Sequence, residues 1–106
     1  MFNPAGVEQV TLTRSEEGPV MAGKAFTCAA TADSTTSLTW TPLDPPNVDS
    51  SSTSDNGKKT DTLVIAEGYL TENVTYTMIA ENAEQNQHTK PLDIHVIGRT
   101  ITLLKI

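Results

Sequence analysis

The chain is predicted to fold as an all-β antiparallel sandwich of about seven strands. Three observations carry that prediction. Apolar residues alternate with polar ones in short runs: Leu63 and Ile65, then Val74, Tyr76, Met78 and Ala80. This is the period of a strand with one dry face. No run reads as helix for three turns; the best, Ala66–Asn73, is short and contains Gly68. Thr and Ser are abundant, and hydrophobic residues make up 37% of the chain. That is low for a helical bundle but enough for a sandwich whose sheets each keep one wet face.

The elements follow in order. Residues 1–6 are a loose lead-in containing Pro4 and Gly6. Val7–Thr13 is a strand with Val10 and Leu12 on one face. Ser15-Glu16-Glu17-Gly18-Pro19 is a turn, and Val20-Met21 is a short second piece of the same edge, blunted by Pro19. After Ala22-Gly23-Lys24, the run from Lys24 to Ala32 is a strand with Phe26, Cys28 and Ala30 inward. Ser37–Thr41 follows a polar loop and turns Leu38 and Trp40 inward. Pro45 and Pro46 take the chain out of the sheet, because proline has no N–H for a ladder.

Val48–Lys59 is polar throughout and is read either as a short edge strand or as a mobile segment; its Asn56-Gly57 is a tight-turn signal. The strands at Leu63–Ile65 and Val74–Ala80 come next. His88–Ile97 closes the sandwich, with Leu92, Ile94 and Val96 inward and Asp93 and His95 outward. One domain therefore spans residues 7–97, the natural count for 106 residues. Residues 98–106 are a linker or an extra edge strand. Ile101, Leu103, Leu104 and Ile106 are apolar on both faces of that run and are candidates for pairing with an edge, such as Val7–Thr13 or Val48–Lys59. Gly98 is the hinge in that reading.

Charge and composition exclude several functions. The formal net charge is −6, the wrong sign for neutralising phosphates or binding an anionic membrane surface. No apolar run approaches the ~20 residues needed to cross a bilayer, so no membrane insertion is expected within this segment. Met1-Phe2-Asn3-Pro4 lacks the basic start and apolar run of a signal peptide. One cysteine means no intrachain disulfide.

Catalytic chemistry has little to work with. Alternation puts Cys28 inward and His95 outward, on opposite sides of their sheets, and His88 falls in a turn. No nucleophile–base pair forms from these. No Cys/His spacing suits zinc. Asp44, Asp49, Asp55 and Asp61 are spread along one polar stretch and read as a solvated acidic loop rather than a calcium site. No cofactor, metal or catalytic residue is expected. Asn73-Val74-Thr75 is an N-glycosylation acceptor triplet in a predicted surface turn.

Cys28, Trp40 and the phrase Tyr76-Thr77-Met78-Ile79-Ala80-Glu81-Asn82 together resemble the immunoglobulin superfamily, and most closely its intermediate set. Trp40 lies twelve residues after Cys28, and Tyr76 thirteen after Leu63, the family's spacings from strand B to C and from E to F. Met78 stands where the family has its second cysteine, so the intersheet disulfide is lost. Methionine is an apolar, adaptable substitute beside a tryptophan. The sequence also departs from the family at Glu72-Asn73-Val74, where Asp-x-Gly is usual. The resemblance implies a core of Cys28, Trp40, Leu63, Ile65, Tyr76 and Met78. It also implies a Tyr76 hydroxyl bonded to backbone just upstream.

A weaker resemblance, through Leu63-Val64-Ile65, Leu70 and Tyr76-Thr77-Met78, is to fibronectin-III-like modules of the egg-jelly-receptor type. Another, on composition, is to phage immunoglobulin-like domains. The function these imply is a non-catalytic protein-binding or adhesion module of a larger multi-domain cell-surface protein, working outside the cell. Its partners would be proteins: homophilic, heterophilic or neighbouring domains of the same chain. The alternative is a structural spacer or decoration domain, in an intracellular muscle-type filament array or on a virion surface.

Overall fold

A computed structural model describes residues 10–98. Among them every regular element is a strand: β1 Thr11–Arg14, β2 Val20–Met21, β3 Phe26–Asp33, β4 Ser37–Thr41, β5 Val48–Asp55, β6 Lys58–Ile65, β7 Val74–Glu81, β8 Gln87–Ile94 and β9 Val96–Ile97. One layer runs β1-β3-β6-β5 and the other β4-β7-β8, all antiparallel. These are the strands of an immunoglobulin-like β-sandwich; β2 and β9 are two-residue pieces added to it.

Alternation decides which side chains enter the space between the layers. In β3, Phe26, Cys28, Ala30 and Ala32 are buried while the residues between them are half-exposed. In β7, Tyr76, Met78 and Ala80 are buried in the same way. Leu63 and Ile65 from β6, Trp40 from β4 and Leu92 and Ile94 from β8 join them in one apolar cluster. Trp40 and Met78 are register partners on adjacent strands. The Trp40 indole Nε1–H donates to the Asp61 carbonyl at 3.0 Å, tying β4 to β6 across the core. The open flank between β1 and β8 is closed by long cations: Lys90 Nζ donates to the Val10 carbonyl at 2.7 Å, and Arg14 Nη1 to the Asp93 carbonyl at 2.9 Å.

Several details of the expected strand layout are corrected. Val20-Met21 does not continue the first edge. β2 leaves the first layer through Ser15–Pro19 and pairs in parallel with β9, Val20 opposite Val96 and Met21 opposite Ile97. The closing strand is not continuous to Ile97. It breaks at His95, whose carbonyl accepts from Val20 N–H, while Val96 N–H is taken by Asn73 Oδ1 at 2.8 Å. His88 lies within β8 rather than in a turn. Residues 7–9 and 99–106 lie outside the described residues, and with them the pairing expected of Ile101, Leu103, Leu104 and Ile106.

Val48–Lys59 is strand apart from one turn: β5, then Asn56-Gly57, then the start of β6. β5 and β6 pair over the whole of β5, from Val48↔Ile65 to Asp55↔Lys58. Asn56 and Gly57 have φ of 51° and 76°, the two left-handed residues of a tight hairpin turn whose twist matches its strands. That turn fixes the register, so β5 needs no apolar alternation of its own.

Asp61 is not part of a solvated acidic loop. It sits in β6, is 7% exposed, and its Oδ1 has no partner among the described residues. Burial pushes its carboxyl above the ordinary aspartate range, against the opposing pull of Lys59 and Ser50. A raised native-state pKa means the folded chain holds this proton more readily than the unfolded chain. The group therefore costs stability as pH rises from its unfolded value through its folded one. Asp61→Asn is expected to raise the melting temperature at neutral pH and to leave it nearly unchanged in acid, below the ordinary aspartate range. A variant less stable than the parent at neutral pH would contradict this.

Candidate functional site

Hydrogen bonds between loops define the two ends of the sandwich. At one end the β3–β4 loop meets the β5–β6 turn, Ser34 N–H donating to the Gly57 carbonyl at 2.9 Å. At the other end three loops are laced together. Gly23 N–H donates to Leu70 O at 2.7 Å, Gly68 N–H to Gly23 O at 2.8 Å, and Ala66 N–H to Asn47 O at 2.8 Å. Gly68, at φ +91°, takes a backbone shape that a side chain would strain. A cleft of about 500 Å³ opens at this laced end, between the β4–β5 loop and the β6–β7 loop.

The cleft is built from the buried side outward. Val48 and Leu70 are both buried and form its base. Asp44 is held by reciprocal backbone bonds with Val48, at 2.8 and 2.9 Å. On the rim stand Leu43, 40% exposed, and Tyr69, 36% exposed, two large apolar groups that folding leaves in water. The Tyr69 hydroxyl donates to Asp44 Oδ2 at 3.0 Å, joining the two loops. That bond, with the Asp44 charge behind it, holds the Tyr69 phenol above its ordinary pKa. Glu72 supplies a second carboxylate, and no Lys, Arg or His lines the cleft among the described residues.

Tyr76 also reaches this cleft. Its hydroxyl makes no hydrogen bond among the described residues, in contrast to the upstream backbone bond expected of the family's corner tyrosine. The phenol is instead pushed up by burial and by its nearness to Tyr69 and Asp44. Within the segment Glu72-Asn73-Val74, Asn73 turns its Oδ1 to accept from Val96 N–H. Asn73 is exposed. The triplet's Thr75 donates from Oγ1 to Asp93 Oδ1 at 2.7 Å.

Cys28, Trp40, Leu63, Ile65, Tyr76 and Met78 are all buried. Burial pushes the Cys28 thiol up to about 11, so almost none is thiolate at neutral pH. A thiol reagent should leave Cys28 unlabelled in native buffer and modify it fully in denaturant; rapid native labelling would mean that β3 is misplaced. His95 is exposed, and His88 lies on β8 with Cys28 in the opposite layer. The structure brings none of these three together.

Leu43 and Tyr69 were not singled out from the sequence, and Asp44 was read only as one of several solvated carboxylates. One signal is present: Leu43 directly follows Pro42 and Tyr69 directly follows Gly68, so both large apolar residues stand beside chain-turning ones.

No family model and no curated protein matches the chain. Among solved structures it is similar to the BIgI domain of beta protein from S. agalactiae, solved bound to CEACAM1. The TM-score is 0.63 with 21% sequence identity, over 87% of this chain and 100% of that one. At that identity the likeness is one of fold, and the fold it shares is the immunoglobulin-like sandwich.

Proposed function

We propose that this chain is a non-catalytic protein-binding module of a larger multi-domain cell-surface protein, working outside the cell. The observation that carries the reading is the laced end of the sandwich. There a preformed cleft exposes Leu43 and Tyr69 between loops that hydrogen bonds already hold in place. Rigid loops with exposed aromatic and aliphatic groups lose little entropy on binding. The likeness to a domain solved bound to a protein, CEACAM1, supports a protein as the partner class. We place the sandwich nearest the intermediate set, on Cys28, Trp40 and Tyr76 with its following Ala80 and Asn82. Asn73 is a glycosylation candidate in this setting: it is exposed, and its amide nitrogen makes no hydrogen bond among the described residues.

The competing reading is a spacer or decoration domain, which needs no binding surface. Labelled chain is to be titrated onto cultured cells, with unlabelled chain as competitor. The binding-module reading expects saturable, competed binding that Leu43→Ala weakens at least about tenfold while the melting temperature stays the same. Unsaturable binding, or binding indifferent to Leu43→Ala, overturns it.

A further inference from the structure

We infer that the cleft recognises an arginine side chain on its protein partner. This rests on the reading of the cleft as a binding surface and names what enters it. Three features of the site converge on a planar cation with an aliphatic stem. The first is electrostatic: the cleft holds Asp44 and Glu72 and no cation among the described residues, in a chain of net charge −6. The second is geometric. Tyr69 occupies only Oδ2 of Asp44, at 3.0 Å, and Oδ1 accepts no hydrogen bond among the described residues. One carboxylate oxygen, fixed in direction by the Tyr69 bond and by the backbone bonds to Val48, is left for an incoming donor. The third is apolar. Tyr69, 36% exposed, brings an aromatic ring to the same carboxylate through its hydroxyl, and Leu43, 40% exposed, adds an aliphatic side chain to the lining.

A guanidinium satisfies all three at once. It donates to a carboxylate in its own plane, stacks on an aromatic face, and lays a three-carbon stem along apolar surface. An ammonium meets the charge but not the stacking. A carboxylate or phosphate ligand meets none of them and is repelled by Asp44 and Glu72. Bare attraction to the acidic surface as a whole is a different outcome, because it would spread over Asp33, Asp49 and Asp55 as well.

The probe is the peptide acetyl-Gly-Arg-Gly-amide, added to uniformly labelled full chain and followed by amide chemical shifts. The expected result is a saturable change confined to residues 42–44 and 69–74. The same peptide with citrulline, which keeps the shape and loses the charge, should bind with at most about a tenth of the affinity. Asp44→Asn, which keeps an oxygen for Tyr69, should abolish the footprint. Asp55→Asn, at the opposite end, should leave it unchanged. Three results overturn the inference: no localised footprint with arginine, equal binding of citrulline, or a footprint elsewhere on the acidic surface. Failure here is separable from failure of the binding-module reading. Cell binding that is saturable and sensitive to Leu43→Ala, with no arginine footprint, removes the arginine and keeps the module.

Discussion

Trp40→Ala is expected to destabilise the domain by about 3–5 kcal/mol, the range for deleting a large buried aromatic. Trp40 is 2% exposed, next to Met78 in register. The substitution removes more than volume. It also takes away the Nε1 donor to the Asp61 carbonyl, leaving a buried acceptor with one partner fewer, a loss of about 1–3 kcal/mol in its own right. Against a total stability of about 5–15 kcal/mol for a domain of this size, that leaves little margin. Trp40→Phe separates the two effects, because it keeps an aromatic ring in place and loses the donor. Urea titrations of both variants check the account. An alanine variant within ~1 kcal/mol of the parent would mean that Trp40 is not in the core.

Met78→Cys carries the second large effect. Met78 and Cys28 are both fully buried, on β7 and β3 in opposite layers, within one apolar cluster. In the resemblance drawn from the sequence they take the two places of the immunoglobulin intersheet bridge. Oxidation of Cys28 with the thiol introduced at position 78 would close a loop of about 50 residues, and restricting the unfolded chain to that extent is worth about 4 kcal/mol. The reduced variant should be less stable than the parent, since cysteine fills less of the space that Met78 occupies. Melting with and without reductant reads both signs from one protein. A variant that keeps two free thiols under oxidising conditions would show that these positions do not face each other closely enough to bond.

How much of this was legible in the sequence depended on where a residue's partners lie. The inward sets of β3, β4, β6 and β7 could be read directly because one face of each strand is dry, and a dry face imposes period two on the sequence. β5 could not be read that way. Its Asp49-Ser50-Ser51-Ser52-Thr53-Ser54-Asp55 run buries almost nothing, and its order comes from backbone pairing to β6 and from Asn56-Gly57. The departure of β2 from the first layer depends on two residues meeting Val96 and Ile97, a contact made by the whole fold. Asp61 looked like its acidic neighbours because its burial comes from register, not composition. The cleft was hidden for a similar reason. Asp44 and Tyr69 are 25 residues apart, and only the lacing of three loops makes them one surface.

Which end of the sandwich binds is measured by competition. Saturable cell binding of the labelled chain is to be competed with three unlabelled chains: the parent, Tyr69→Ala at the laced end, and Glu84→Ala in the β7–β8 loop at the opposite end. Glu84→Ala is expected to compete as well as the parent, while Tyr69→Ala is expected to need at least about ten times more protein. Equal competition by Tyr69→Ala, with competition lost in Glu84→Ala, would put the binding surface at the other end of the molecule.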